Sequence, residues 1–288
     1  MTETVEVFGP HGNLVGTLHH PGSPELRDVA VVLLNAGVIH RIGPHRINVK
    51  LARALGRAGV VSLRFDLSGQ GDSRVAPDAS PHLQQALGDV RAAMDHIAAR
   101  TSIRRFVIAG ICSGADHAYR VAGADPRVAG IWMMDGFTFP TRRSRLVQFA
   151  WRIRRRLREG AKALLDRSAG ATRDVPDAAV ATQRLQRRAA ADQSRGVPSP
   201  ADFARHMQGL VDRGVNAYLL YSGDVFYDHN YANQLRDAFR GHAFAARVRC
   251  DFLPEIDHTV TRLQAQRRIE ALLVEWIEAW SEKVQARA

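Results

Sequence analysis

Cysteine is scarce in this chain: Cys112 and Cys250 are the two in 288 residues, too few for a disulfide framework. No stretch of about 18 apolar residues occurs, so no segment is expected to cross a bilayer as a helix. His-x-x-x-His and Cys-x-x-Cys spacings are missing, which removes the commonest metal-binding patterns, and no metal is expected. Neither a Gly-x-Gly-x-x-Gly run nor a phosphate-cradling Lys loop follows the first buried strand, so no nucleotide cofactor is expected. The opening MTETVEVFGPHGN lacks the basic and apolar regions of a secretory leader, and the expected compartment is the cytoplasm.

What is present is an ordinary globular composition, 45% hydrophobic and 24% charged, which excludes disorder, collagen and coiled coil. The length suits one large α/β domain or two small ones. The net charge of +11 is concentrated: residues 141–200 hold 15 Lys and Arg against 5 Asp and Glu, or +10 of the total. A nucleic-acid-binding domain would spread its basic residues over a face with groove-reading elements, so no nucleic acid is expected. The basic segment reads as a solvated helical face, or as a site for an anionic substrate, an acidic partner or a membrane surface.

Short apolar runs alternate with helical patterns. Val5–Phe8 and Leu14–Leu18 flank Gly9-Pro10-His11-Gly12, which predicts an N-terminal hairpin. Buried strands are predicted at Val29–Leu34, Val60–Phe65, Phe106–Ala109, Val128–Met134, Ala217–Tyr221 and Val248–Phe252. Helices are predicted over Arg46–Gly59, Leu83–Arg100 and Val260–Val284, with apolar residues at helical spacing. Strands joined through helix-length connections imply a doubly wound, mostly parallel α/β sheet. The core is expected at 1–137 and 214–288. Residues 138–213 read as an inserted helical lid, with a basic amphipathic helix over Leu146–Leu165 and loop or broken helices over Ala169–Ser199. Whether Phe149 and Trp151 face the sheet, a pocket or a bilayer is left open by their spacing.

The strongest local signal is RRFVIAGICSGADHAYR, residues 104–120. A buried strand runs through Gly110-Ile111-Cys112-Ser113-Gly114 into a helix, the setting of a nucleophile elbow. Such a turn needs small residues two positions to either side of its centre. Centring on Cys112 puts Gly110 and Gly114 there, whereas centring on Ser113 puts Ile111 where a small residue is required. Cys112 is therefore the expected nucleophile and Ser113 the alternate. A thiol at a helix N-terminus also has its thiolate favoured by the helix dipole. The competing reading makes Cys112 a small buried residue and Ser113 a helix cap.

A nucleophile of this type needs a base and an orienting carboxylate. Of the 12 histidines, His258 follows the last strand and can fold back over the elbow. The acid is expected at Asp224, directly after the strand Ala217–Tyr221, with Asp228 as the alternate. Asp257 is read as fixing the His258 loop, and Cys250, mid-strand, as core.

These pieces together resemble the α/β-hydrolase fold family over nearly the whole chain. The resemblance rests on VVLLNAG, RFDLSGQGDS, GICSGAD, SGD and DHT, and on the chain order nucleophile, acid, histidine. It is similar to the small bacterial hydrolases described as serine-aminopeptidase-like or exosortase-associated. Most of these relatives use Ser. The Cys-centred elbow is similar to that of dienelactone hydrolases and polyhydroxyalkanoate synthases. The resemblance implies an oxyanion hole made by the amide of Ser113 and one from the loop after the first buried strand, placed at Gly37 with Ala36 or Val38 as alternates. His40 and Arg41, beside it, are candidate substrate contacts.

The activity expected is hydrolysis of an ester, thioester or lactone through an acyl-enzyme on Cys112, His258 and Asp224. A small-molecule or carrier-bound acyl substrate is implied, with arginines such as Arg142, Arg143, Arg145, Arg154, Arg155 and Arg156 available to phosphates. Two alternatives stand beside it. One is an acyltransferase that passes the acyl group to an alcohol or amine. The other is a non-catalytic protein that binds an acidic partner or membrane through residues 141–200.

Overall fold

The computed structural model of the chain describes residues 2–22, 27–77, 81–168, 196–226 and 228–285. Eight strands make one sheet: β1 (Thr2–Phe8), β2 (Leu14–His20), β3 (Val29–Leu33), β4 (Val61–Phe65), β5 (Arg105–Ile111), β6 (Val128–Met134), β7 (Asn216–Ser222) and β8 (Arg249–Leu253). Their order is β1-β2-β4-β3-β5-β6-β7-β8. The β1–β2 hairpin is antiparallel and β2 runs antiparallel to β4, whereas β4, β3, β5, β6, β7 and β8 are parallel throughout.

Strand β3 shows why an unbroken apolar run forms the sheet centre. Its residues alternate between faces. Ala30 and Val32 enter one apolar cluster while Val29, Val31 and Leu33 enter the other. The first cluster is roofed by α2 (His82–Arg100), α3 (Ser113–Ala124), α5 (Pro200–Asp212), α6 (Gln234–Ala238) and α7 (Phe244–Arg247). The second is closed by α1 (Ile47–Arg57) and α8 (Leu263–Gln285), through Leu51, Leu55, Ile269, Leu272, Leu273 and Trp276.

Helix α4 (Arg142–Ser168) is longer than the expected Leu146–Leu165 and begins at a reciprocal cap. The Thr141 hydroxyl accepts from the Ser144 amide at 3.0 Å, and Ser144 Oγ from the Thr141 amide at 2.8 Å. The expected loop or broken helices over 169–199 fall for the most part on 169–195, outside the described residues. Helix α5 starts behind Ser199, whose hydroxyl accepts from the Asp202 amide at 3.1 Å, and Pro200 occupies its first turn. Its Phe203, Met207, Leu210 and Val211 are buried in the core of the first face. Residues 200–212 therefore belong to the body that holds the site. Among the described residues no helix is long and apolar enough to cross a membrane.

Candidate active site

Strand β5 ends in a forced turn. Cys112 has φ 58° and ψ −120°, a left-handed conformation that costs an ordinary residue on the order of 1–3 kcal/mol and persists only where the surroundings impose it. A Cβ on Gly110 would stand 2.1 Å from the carbonyl carbon of Gly114, and one on Gly114 would stand 2.6 Å from the carbonyl oxygen of Asn35. Both flanking glycines are thus required by backbone passing within van der Waals contact. The turn is centred on Cys112, and Ser113 is the first residue of α3.

The Cys112 amide donates to the Met134 carbonyl at 2.9 Å, and the next residue on that strand, Asp135, donates to the Leu220 carbonyl at 2.9 Å. Asp135 is fully enclosed and also left-handed, φ 51°. Its Oδ1 accepts from the Ser222 amide at 2.7 Å. Its Oδ2 accepts from Ser222 Oγ at 2.6 Å and pairs with His258 Nδ1 at 2.7 Å. The carboxylate behind the imidazole is therefore Asp135, at the end of β6.

This corrects the expectation of Asp224. The Asp224 side chain is exposed, and its Oδ2 accepts the main-chain amide of His258 at 2.9 Å. It fixes the loop that carries the histidine while Asp135 fixes the ring. The alternate, Asp228, lies beyond the same turn, where its amide closes onto the Val225 carbonyl at 2.8 Å. An aspartate directly after the fully apolar Ile131–Met134 was a visible signal. Asp224 after β7 offers a similar strand-end placement, so spacing alone does not choose between the two.

The His258 ring is 30% exposed. Its pKa is raised to about 10, first by the bond to Asp135 and next by a bond to Cys112, against the cost of burial. The ring is an imidazolium at neutral pH, and a cation beside a thiol favours the thiolate. Burial works against the charge of neighbouring Asp257, yet hydrogen bonds from Thr261 and Thr259 bring its pKa to about 2. Its part is to hold the loop. Cys250 packs against the core, and burial pushes its thiol up to about 12, far from any nucleophilic state.

Gly37 lies opposite the elbow in a left-handed turn, φ 61°. Its amide, expected to face an oxyanion, donates to Ser113 Oγ at 2.9 Å. Ala36 accepts through its carbonyl from the Ile39 amide, and Val38 is exposed. The loop is anchored from below by Asn35, which donates to Asp66 Oδ1 at 2.9 Å and accepts from the Leu67 amide at 2.9 Å.

Arg41 departs from its expected role as a substrate contact. It is buried, and its Nη1 donates to Asp66 Oδ2 at 2.6 Å and to Asp72 Oδ2 at 2.7 Å, with His40 Nε2 at 2.7 Å. Its charge is consumed by two carboxylates. Acceptor atoms of His40, Asp66 and Asp72 gather within 4.8 Å of one another, near enough for a divalent cation, but the guanidinium already fills that place. The Asp-x-x-Gly-x-Gly-x-Ser run is likewise structural: a Cβ on Gly71 would meet the Asp66 carboxylate at 2.4 Å, and Ser73 Oγ donates to the Asp66 carbonyl at 2.6 Å.

The fold has counterparts among known proteins. The family described as serine aminopeptidase, S33, matches residues 29–218. No curated protein sequence matches the chain. Among solved structures, an esterase of Pyrococcus furiosus aligns with TM-score 0.61 at 13% identity, covering 97% of this chain and 92% of its own. A proline iminopeptidase of Mycobacterium smegmatis aligns with TM-score 0.57 at 18% identity, covering 98% and 100%. An α/β serine hydrolase of Xanthomonas campestris, described as lacking a lid, aligns with TM-score 0.57 at 13% identity, covering 97% and 95%. The sheet and its flanking helices are those of the α/β-hydrolase fold.

Proposed function

The chain belongs to the serine aminopeptidase S33 family, and from that premise we propose a hydrolase of acyl compounds (esters, thioesters or lactones) that works through a thioester formed on Cys112. The observation that carries the reading is the unbroken line from the strained Cys112 through His258 to the buried Asp135. It supplies nucleophile, proton carrier and orienting carboxylate in the sense the chemistry needs.

In this reading the Cys112 thiolate attacks the substrate carbonyl carbon, and the carbonyl π pair moves onto oxygen. That oxygen meets the Ser113 amide, which as the first of α3 has no helical acceptor. On the other side it meets the Gly37–Ser113 pair. The Ser113 hydroxyl already accepts from Gly37, so its own proton is available to the developing anion. Collapse expels the alkoxide or thiolate, which takes a proton from the His258 imidazolium. The now neutral His258 draws a proton from water as it attacks the thioester. The acid is released, and Cys112 and His258 return to their starting charges. Asp135 holds Nδ1–H throughout, so that Nε2 is the exchanging nitrogen.

Hydrolysis is supported by the family, and ester substrates by the Pyrococcus furiosus esterase, which shares the fold. The departure from serine relatives is the thiol, and it favours thioester and activated ester leaving groups. The test is intact-mass measurement after exposure to p-nitrophenyl acyl esters of increasing chain length, with Cys112→Ala, Cys112→Ser and Ser113→Ala beside wild type. The expected result is an acyl adduct that vanishes in Cys112→Ala and forms, more slowly, in Ser113→Ala. An adduct lost in Ser113→Ala but kept in Cys112→Ala would overturn the assignment. Adding alcohol or amine acceptors to the same reaction reads out transfer against hydrolysis.

A further inference from the structure

We propose that α4 is an anionic-membrane docking helix, lying flat on a lipid surface by its outer face. The argument is independent of the reaction at Cys112 and starts from the helical wheel of residues 142–159. At 100° per residue, Phe149, Ile153, Leu146 and Leu157 fall within a sector about 80° wide. They run some 16 Å along the helix. All four are exposed, by 62%, 42%, 68% and 68%.

The sidedness is the reverse of a globular surface helix, which turns its apolar stripe inward. Here the inward face is Ser144, Val147, Gln148 and Trp151, which are buried or half-buried. Asn230 Nδ2 donates to the Ser144 carbonyl at 3.0 Å, and the Trp151 ring meets Phe226 at 5.7 Å. Thr141 Oγ1 and the Tyr231 hydroxyl are 2.9 Å apart, and the Arg143 guanidinium lies over the Tyr231 ring. Attached on one side, the helix presents leucine, phenylalanine and isoleucine on the other.

The occupant is identified by charge. Residues 142–159 contain eight arginines and a single acid, Glu159, which Arg155 engages. Arg143 and Arg154 border the stripe along one edge, and Arg145, Arg152 and Arg156 along the other. An apolar strip of this width between two rows of cations fits the headgroup–acyl boundary of an anionic bilayer, with the side chains entering about 5–10 Å and the arginines meeting phosphates. A second copy of the chain would bring the same positive rows against each other. Through Phe226 the helix abuts the turn whose Asp224 holds the His258 loop, so docking sets the candidate site beside the lipid surface.

The test is flotation of the full chain with phosphatidylcholine vesicles, with and without phosphatidylglycerol, at about 0.1 M salt and again at higher salt. The expected result is capture by the anionic vesicles alone, released as salt rises. Phe149→Ser with Leu157→Ser is expected to weaken capture at least ~10-fold, and Arg145→Gln with Arg154→Gln roughly 10-fold. These four positions are exposed, so folding is preserved, and circular dichroism verifies it. Cys112→Ala floats as wild type. Absence of flotation at low salt, or flotation indifferent to the stripe variants, overturns the proposal. So does a sedimentation-detected dimer that those variants dissociate, or binding to polyglutamate by a chain that ignores every vesicle.

Discussion

Replacing Asp135 by Asn tests the site at its most specific point. The carboxylate receives three hydrogen bonds, from the Ser222 amide, Ser222 Oγ and His258 Nδ1. An amide of the same shape can keep the Ser222 amide bond through its carbonyl, but its NH2 then faces Nδ1 and favours the wrong tautomer. The interval between the ordinary histidine value of 6.5 and about 10 is worth roughly 5 kcal/mol at about 1.4 kcal/mol per pH unit. Asp135 holds the largest part of it, ahead of Cys112. Asp135→Asn should therefore lower turnover by about 10⁴-fold, the loss when a triad orienter is neutralised. It should also move the pH profile of Cys112 alkylation by iodoacetamide, read by intact mass, because His258 no longer stays charged through neutral pH. Asp224→Asn, at a carboxylate that accepts the His258 main-chain amide and not the ring, should cost ~10-fold or less and leave the alkylation profile in place. Equal losses in the two variants, or an Asp135→Asn enzyme with near-native turnover, would refute the reasoning.

Three further outcomes are expected. Gly110→Ala puts a methyl 2.1 Å from the Gly114 carbonyl carbon, so chemical denaturation should show a loss of at least ~3 kcal/mol, with little folded enzyme recovered. Arg41→Met leaves the buried Asp66 without its cation and should cost about 3 kcal/mol, measured the same way. Stability should also depend on pH through two groups of opposite sign. The His258 contribution is complete below about pH 6.5, declines as pH rises and is lost above about 10. The Asp257 contribution is complete above pH ~4 and is lost as pH falls through about 2. His258→Asn should flatten the alkaline limb of a melting-temperature profile without altering the acid limb.

Much of this molecule could be read from local sequence because local sterics determined it. The elbow was legible since Gly110 is demanded by the backbone of Gly114, four residues on, and Gly114 by Asn35 across a short gap. Strand β3 was legible since every one of its residues is apolar, as burial on two faces requires. His258 was legible from topology alone. The acid was not, because aspartates end several of these strands in similar surroundings. Which one meets the imidazole depends on where the β8–α8 loop folds, a matter of tertiary distance. Arg41 was unreadable for the same reason: its partner Asp66 lies 25 residues away on another loop. Helix α5 carried its own signal in Ser199-Pro200 and in Phe203, Met207, Leu210 and Val211 at helical spacing.

Cys112 and Asp135 each follow directly on paired residues of one parallel ladder, Ile111 and Met134. Two members of the proposed triad are thus held at neighbouring rungs of the most protected part of the sheet, while His258 rides on a half-exposed loop held by Asp224 and by Asp257 with its threonines. Heat should therefore disarm the enzyme in two stages. The histidine arm lets go first, in a reversible opening that costs far less than unfolding, and leaves a chain with its sheet intact and its thiol in place. Amide exchange along 255–261 would then run ahead of exchange in β5 and β6, and the temperature at which turnover fails would lie below the temperature at which the fold does.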